Sequence, residues 1–324
     1  MALALQSLVK DKMKFTKYSS VHKIIWNEFV KSSKNGHFFF LREYMEYHSE
    51  RFVDHSLLVF GDSEKLVAIL PANLIGSVLW SHQGLTFGGF LVDDKIKTET
   101  MLSIFSDLKD YLTTINIEKL VYKSIPYIYH EKPAEEDRYA LFIENANLIR
   151  RDITSTINLK APIRYSKGRK WTINKAKKDQ IEVIESIDFA TFWGLLSDVL
   201  ESNHGARPVH SLHEIVSLFN LFPKNIRLFL AKKNSEVIAG ALIYENKDIV
   251  HTQYLANSDL GREIGGLDVL IDHLIKDKFQ NKKYFDFGIS NEDQGRTLNS
   301  GLISQKEGFG ARAVAQDTYE IALS

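Results

Sequence analysis

One stretch, Leu228 to Ile289, limits what this chain can fold into more than any other. A short apolar run from Ile226 to Ala231, a polar turn at Lys232 to Ser235 and a second apolar run from Val237 to Tyr244 read as two strands. Asp248 to Leu255 reads as a third, carrying His251, Gln253 and Tyr254 among β-branched and aromatic neighbours. The glycine-rich segment Gly261-Arg-Glu-Ile-Gly-Gly266 follows at once. Leu267, Leu270, Ile271, Leu274, Ile275 and Phe279 then fall on a 3.6-residue stripe, which predicts a helix that stops before Asn281. Tyr284 to Ile289 closes the unit as a buried strand. A glycine-rich turn between a strand and a helix leaves backbone N–H groups free to hold an anion.

That order of elements, with Arg262, Gly265 and Gly266 in the turn, resembles the core of the GNAT acyltransferase superfamily. Leu267 stands where the last small residue of the usual pattern belongs. Within the superfamily the chain looks most like the Fem-type peptidyl transferases and the BioF2-like acetyltransferase branch, with two GNAT-like halves. Lys306, Glu307 and the Gly308-Phe-Gly310 turn resemble the end of those enzymes. The resemblance implies an α/β (α+β) fold of tandem GNAT-like domains, each a mixed, mostly antiparallel sheet flanked by helices. It also implies that Gly261, Arg262, Gly265 and Gly266 receive the pyrophosphate of acyl-CoA, acetyl-CoA being the expected form. The coenzyme would be a co-substrate, with no tightly bound cofactor.

At 324 residues the chain is long enough for two domains of ordinary size. Its formal net charge is zero, so no global field points to nucleic acid or a membrane surface. The absence of cysteine excludes disulfides, thiolate zinc sites and a cysteine nucleophile. No apolar run reaches the roughly 18 residues that span a bilayer, and the first residues lack the marks of a signal peptide. A cytoplasmic location is the expectation. Eleven histidines show no His-x-x-x-His spacing, so a metal hydrolase is not expected.

In the first half, Val21 to Ser32 and Thr98 to Leu112 read as helices. Ser56 to Phe60, Leu66 to Leu74 and Leu120 to Tyr129 read as strands. Asp62-Ser-Glu-Lys-Leu-Val-Ala68 and Lys233-Asn-Ser-Glu-Val-Ile-Ala239 occupy matching places in a strand–turn–strand unit, which suggests an internal duplication. Domains are expected at 1–165 and 166–324, with 1–14 a loose extension. Their join lies between Ala161 and Asp179, where Arg164, Lys167, Arg169, Lys170, Lys175, Lys177 and Lys178 precede any acid. This run is either a solvated helix, starting near Lys175, or a surface for a phosphate-rich partner.

Candidate site residues follow from chemistry. The segment Glu201 to Ser211 holds His204, Arg207 and His210 between Gly205 and Pro208 and is expected to be a loop that binds the acceptor. Arg207 suits a carboxylate or phosphate. Ser211 and Glu214 have capping-box spacing. On a regular strand His251 and Gln253 share one face, Thr252 and Tyr254 the other. An acyl transfer to an amine needs a base, and then an acid for the leaving group, so His251, Tyr254 and Asp286 are the catalytic candidates. His204, Arg207, His210, Gln253 and Lys306 are the substrate-binding ones. The overall expectation is an N-acyltransferase acting on an amine of a cell-envelope sugar or peptide precursor. The alternatives are aminoacyl-tRNA-dependent peptidyl transfer, with tRNA the less favoured partner, and a non-catalytic scaffold that binds a partner or glycan.

Overall fold

The structure, a computed structural model, describes residues 12–61 and 64–323. It separates into two compact units, one of residues 1–151 with 316–324, the other of 152–315. The chain leaves the first unit within a strand and returns to it within the last one. The sequence reading set the join in the basic run beyond residue 161 and kept the C-terminus with the second half. Strand pairing places both differently, because strand exchange leaves no composition signal.

In the first unit, strands β1 (Lys14–Lys17), β3 (Leu57–Phe60), β4 (Leu66–Leu70) and β7 (Leu91–Val92) form an antiparallel sheet. Met13 donates its backbone N–H to Asp107 and Lys14 pairs with Phe60, so the expected loose extension ends before Met13; residues 1–11 lie outside the described set, as do Asp62 and Ser63. A second set joins β2 (Val53–Asp54), β5 (Asn73–Ile75), β6 (Val78–Trp80) and β8 (Lys119–Lys123), with β6 and β8 parallel. Helices α1 (Lys23–Ser32), the short α2 (Arg42–Met45), α3 (Thr98–Thr114) and α4 (Glu136–Ile143) belong to this unit. Met101, Phe105, Leu108 and Leu112 of α3 are buried in one apolar core with Leu57, Leu70 and Tyr122. The expected strand 120–129 stops at Lys123; proline cannot donate to a ladder, and a 3-10 turn at Tyr127–Tyr129 follows Pro126.

The chain enters the second unit within β9 (Asn147–Asn158). There follow α5 (Lys167–Ala176), β10 (Glu182–Ser186), α6 (Phe189–His204) and α7 (Leu212–Leu221). Next come β11 (Ile226–Lys233), β12 (Glu236–Glu245), β13 (Ile249–Asn257), α8 (Asp259–Ile264) and α9 (Gly266–His273, continued by a π turn over Leu274–Lys278). Strand β14 (Tyr284–Ile289), a small hairpin β15 (Asn291–Glu292) and β16 (Thr297–Leu298), helix α10 (Ser300–Glu307) and β17 (Arg312–Ala322) complete the chain. The unit's sheet runs β10-β11-β12-β13-β14-β9, antiparallel except for the β13–β14 pair. The far end of β17, Thr318 to Ala322, pairs with β8 in the first unit. Among the described residues, a parallel pair stands in each unit, β6–β8 in the first and β13–β14 in the second, beside antiparallel ones.

One face of the second sheet buries Phe229, Ile243, Val250, Phe285 and Ile157 under the apolar stripe of α9. The predicted stripe is real: Leu267, Leu270, Ile271, Leu274, Ile275 and Phe279 are all buried. Helix α6 packs on β12 and β13 and leaves no space above Gly240, where a Cβ would stand 2.4 Å from the ring of Phe192. Two helices begin at side-chain caps, the first earlier than the expected start near Lys175. The basic run is already helical from Lys167, because Ser166 caps it by accepting from the Arg169 N–H. The segment after Asn299 is α10, capped the same way by Asn299 on Leu302.

Candidate active site

The parallel ladder between β13 and β14 has three rungs: Ile249 with Tyr284, Val250 with Phe285, and His251 with Asp286. Beyond His251, β13 has no partner on β14, so the strands part and open the sheet there. On β9, Ile157 belongs to the α9-side core, so Thr154 and Thr156 point the other way; the same alternation sets Asp286 opposite Phe285 and Phe287. All four polar residues meet there. His251 Nδ1 lies 2.8 Å from Asp286 Oδ2, while Asp286 Oδ1 accepts from the hydroxyls of Thr154 and, at 2.8 Å, Thr156. Asp286 is 1% exposed and His251 9%.

A buried carboxylate needs such donors, because an unpaired charge out of water is costly. With Asp286 as acceptor, Nδ1 of His251 carries the proton and Nε2 is left with a lone pair (a tautomer assigned from the bond). Gly288 lies against the imidazole: its φ is +74°, and a Cβ there would stand 3.1 Å from His251 Cε1. Lys306 of α10 donates to the carbonyls of Gly288 at 2.9 Å and Ile289 at 2.7 Å, and to Ser290 Oγ at 2.9 Å. Burial lowers its ammonium to about 8, partly offset by the charge of Asp286. Lys306 therefore holds the backbone that supports His251, a positioning place where substrate binding was expected.

The face assignment made from a regular strand fails at Gln253. In the β12–β13 register Ile243 pairs with Thr252 but Leu242 pairs with Tyr254, so Gln253 is an extra, bulged residue. The bulge resets the alternation and turns Tyr254 to the face of His251 and α6. There its hydroxyl lies 2.7 Å from Nδ1 of His210 and accepts from the His210 N–H at 3.3 Å, and Trp193 packs edge-on at 5.4 Å. Burial raises the phenol, with hydrogen bonds from His210, Gln253 and Val209 opposing it. The bulge thus assembles His251, Asp286, Tyr254, His210 and Gln253 on one side of the sheet.

Other expected residues lie elsewhere. Helix α6 runs through residue 204, so the loop begins only at Gly205; the side chain of His204 lies outside the described set. Arg207 is exposed and forms no ion pair among the described residues. Ser211 and Glu214 form the capping box as read, at the head of α7. The glycine segment is not an open turn. Gly261 is inside α8, where a Cβ would meet the Ile238 carbonyl oxygen at 2.4 Å. Gly265, at φ +82°, turns the chain between α8 and α9 and lies under α5: a Cβ would be 2.9 Å from Thr172 Cγ2. A Cβ on Gly266 would meet Ile238 Cδ1 at 2.9 Å. Arg262 is half-exposed and pairs with Asp259 at 3.0 Å. The first turn of α9 already carries a carboxylate, Asp268, paired with Arg169 of α5.

Sequence reading missed Thr154 and Thr156, about which only their alternation could have spoken. In the first unit it also missed a buried pair, His48 and His82, whose rings stack at 5.3 Å. Burial drives His82 down to about 3, helped by the charges of His48 and Lys123.

No protein-family profile matches the chain, and no curated protein matches it. Solved structures do. FemX aligns with a TM-score of 0.67 at 11% identity over 95% of this chain and 97% of that one. The C-terminal domain of a putative lysylphosphatidylglycerol synthetase from Agrobacterium fabrum aligns with a TM-score of 0.59 at 10% identity, over 93% of this chain and 92% of that one. A tandem GNAT protein from the clavulanic acid biosynthesis pathway gives 0.53 at 8% identity, covering 97% and 99%. The chain shares the fold of FemX and of the tandem GNAT protein. Among the described residues no helix is long and apolar enough to cross a membrane.

Proposed function

We propose that this Fem-type GNAT fold is an acyltransferase in which His251 and Asp286 form the proton-accepting dyad. The observation that carries this reading is the dyad itself: an imidazole oriented by a buried carboxylate at the point where two parallel strands separate. A neutral amine attacks the carbonyl carbon of an activated ester; the C–N bond forms as the bond to the leaving group breaks. His251 Nε2 takes the proton of the amine, and the Tyr254 hydroxyl gives one to the departing atom. The acceptor class that fits the likeness to FemX is an amine of a cell-envelope sugar or peptide precursor, met in the cytoplasm.

For the donor, acyl-CoA is the first reading and aminoacyl-tRNA the second. One observation favours the second. The glycines that would cradle a pyrophosphate are used up in packing, and α5 covers Gly265. Incubation with acetyl-CoA and, separately, with charged tRNA, each with amino-sugar and peptide acceptors, tests both parts by mass spectrometry. Transfer from acetyl-CoA alone supports the first donor reading, and transfer from charged tRNA alone supports the second. Equal transfer by wild type and His251→Ala, or none from either donor, overturns the dyad.

A further inference from the structure

Away from the dyad, on the α9 side of the sheet, the second unit holds a cavity of about 490 Å³. Its apolar lining comes from Leu159, Pro162, Ile163, Ile173 and Ile275, and its polar lining includes Arg164, Lys170, Lys177 and Lys276. The Gly-Phe-Gly turn lies behind the lining segment Ile163–Tyr165 and holds it in place. Ser166 donates to the Gly308 carbonyl at 2.9 Å, and Gly310 lets the Ile163 carbonyl lie where a Cβ would come within 2.3 Å. Tyr165 packs edge-on to Phe309 at 5.5 Å. The cavity is therefore part of the fold, fixed by a motif that the transfer chemistry does not use.

Its charges are unbalanced. Lys177, at 2.7 Å, and Lys276, at 2.5 Å, both bind the buried carboxylate of Asp272. Arg164 and Lys170 form no ion pair among the described residues. An apolar slot edged by spare cations matches a molecule with an apolar chain and an anionic head, and a guanidinium suits a phosphate best. Trp171, on the helix that carries Lys170, is 66% exposed, and Ile163 is 45% exposed. An exposed tryptophan among lysines is the pattern of a lipid–water boundary. We infer that this cavity binds a phosphate-headed amphiphile, its chain on Ile173 and Ile275 and its head on Arg164 and Lys170. The acceptor chemistry lies on the opposite sheet face, so the site is distinct from the dyad and stands or falls without it.

Dodecyl phosphate below its micelle-forming concentration, titrated into the full chain by calorimetry, is the probe, with dodecyl maltoside as the neutral match. The variant R164E/K170E should bind at least about tenfold more weakly, the loss expected for charged hydrogen bonds. K167E/K178E makes the same charge change beside the cavity and should bind like wild type. Asn174→Trp, which fills the mouth without touching charge, should also weaken binding. Sedimentation with phosphatidylglycerol vesicles identifies the source: binding there marks a bilayer lipid, its absence a soluble amphiphile. Equal loss in both charge variants, or displacement of the probe by tRNA, would mean a general anion strip and overturn the site. Dodecyl maltoside binding as tightly as the phosphate would overturn it too.

Discussion

His251 and Asp286 stand opposite each other on the last rung of the parallel β13–β14 ladder, joined Nδ1 to Oδ2 at 2.8 Å. The position matters because the next residues of the two strands are free to separate. The imidazole is anchored through Nδ1 from the closed side of the sheet. Two threonine hydroxyls on the third strand hold the other carboxylate oxygen, so the orientation comes from three strands at once.

Replacing His251 by Ala should lower kcat by about two to four orders of magnitude, the usual contribution of a positioned base. Asp286→Asn keeps the shape but sets an amide where Nδ1–H and two hydroxyls now donate, and should cost a similar part of kcat. Circular dichroism should show both variants folded. Full turnover in either would leave the pair a structural rung and nothing more.

Gly261→Ala separates a packing glycine from an anion-binding one. The added methyl meets the Ile238 carbonyl, so the variant should lose about 1–3 kcal/mol in urea denaturation, as overpacked sites do. The part that remains folded should keep the donor KM of wild type. A raised donor KM with unchanged stability would restore the phosphate role.

Much of the second unit was legible because its signals are local. The apolar stripe of α9, the polar turn between β11 and β12 and the strand Tyr284–Ile289 all sit as periodicity placed them. Gln253 shows the limit. Its bulge exists only through the register with Leu242 and Ile243, and it reverses the face of Tyr254. Gly261 shows another: a glycine needed for close packing and one needed for an anion look alike until the neighbouring Ile238 carbonyl is in place. Thr154 and Thr156 lie some 130 positions from Asp286, and only β9 brings them together.

In the first unit, Tyr122 donates to Asp137 at 2.7 Å, and burial raises that carboxyl to about 6 despite the bond. A carboxyl raised on folding binds more protons folded than unfolded between its ordinary 3.8 and about 6. Its contribution is thus largest below 3.8 and is lost as pH climbs through about 6. Asp137→Asn keeps an acceptor for Tyr122 without the buried charge. It should match or exceed wild-type stability at pH 8, by on the order of 1 kcal/mol, and lose that advantage by pH 4. Thermal melts at the two pH values check this; an advantage larger at pH 4 would reverse the assignment.

Lys306 gives the opposite slope. Its ammonium, lowered by burial to about 8, supplies three hydrogen bonds to the Gly288–Ser290 backbone and hydroxyl that carry the His251 support. Between about 8 and the ordinary 10.5 the unfolded chain holds the proton and the folded one releases it, so this group makes stability rise with pH across that window. Lys306→Met removes the donors and the titration together. At pH 7 it should cost about 1–3 kcal/mol, the penalty for carbonyls left without their partner. Because only wild type gains as the lysine deprotonates, its lead over Lys306→Met should widen from pH 8 to pH 10. Urea midpoints at those two pH values measure the lead directly. If it is constant or shrinks, Lys306 keeps an ordinary pKa in the folded chain and its burial is not what tunes this turn.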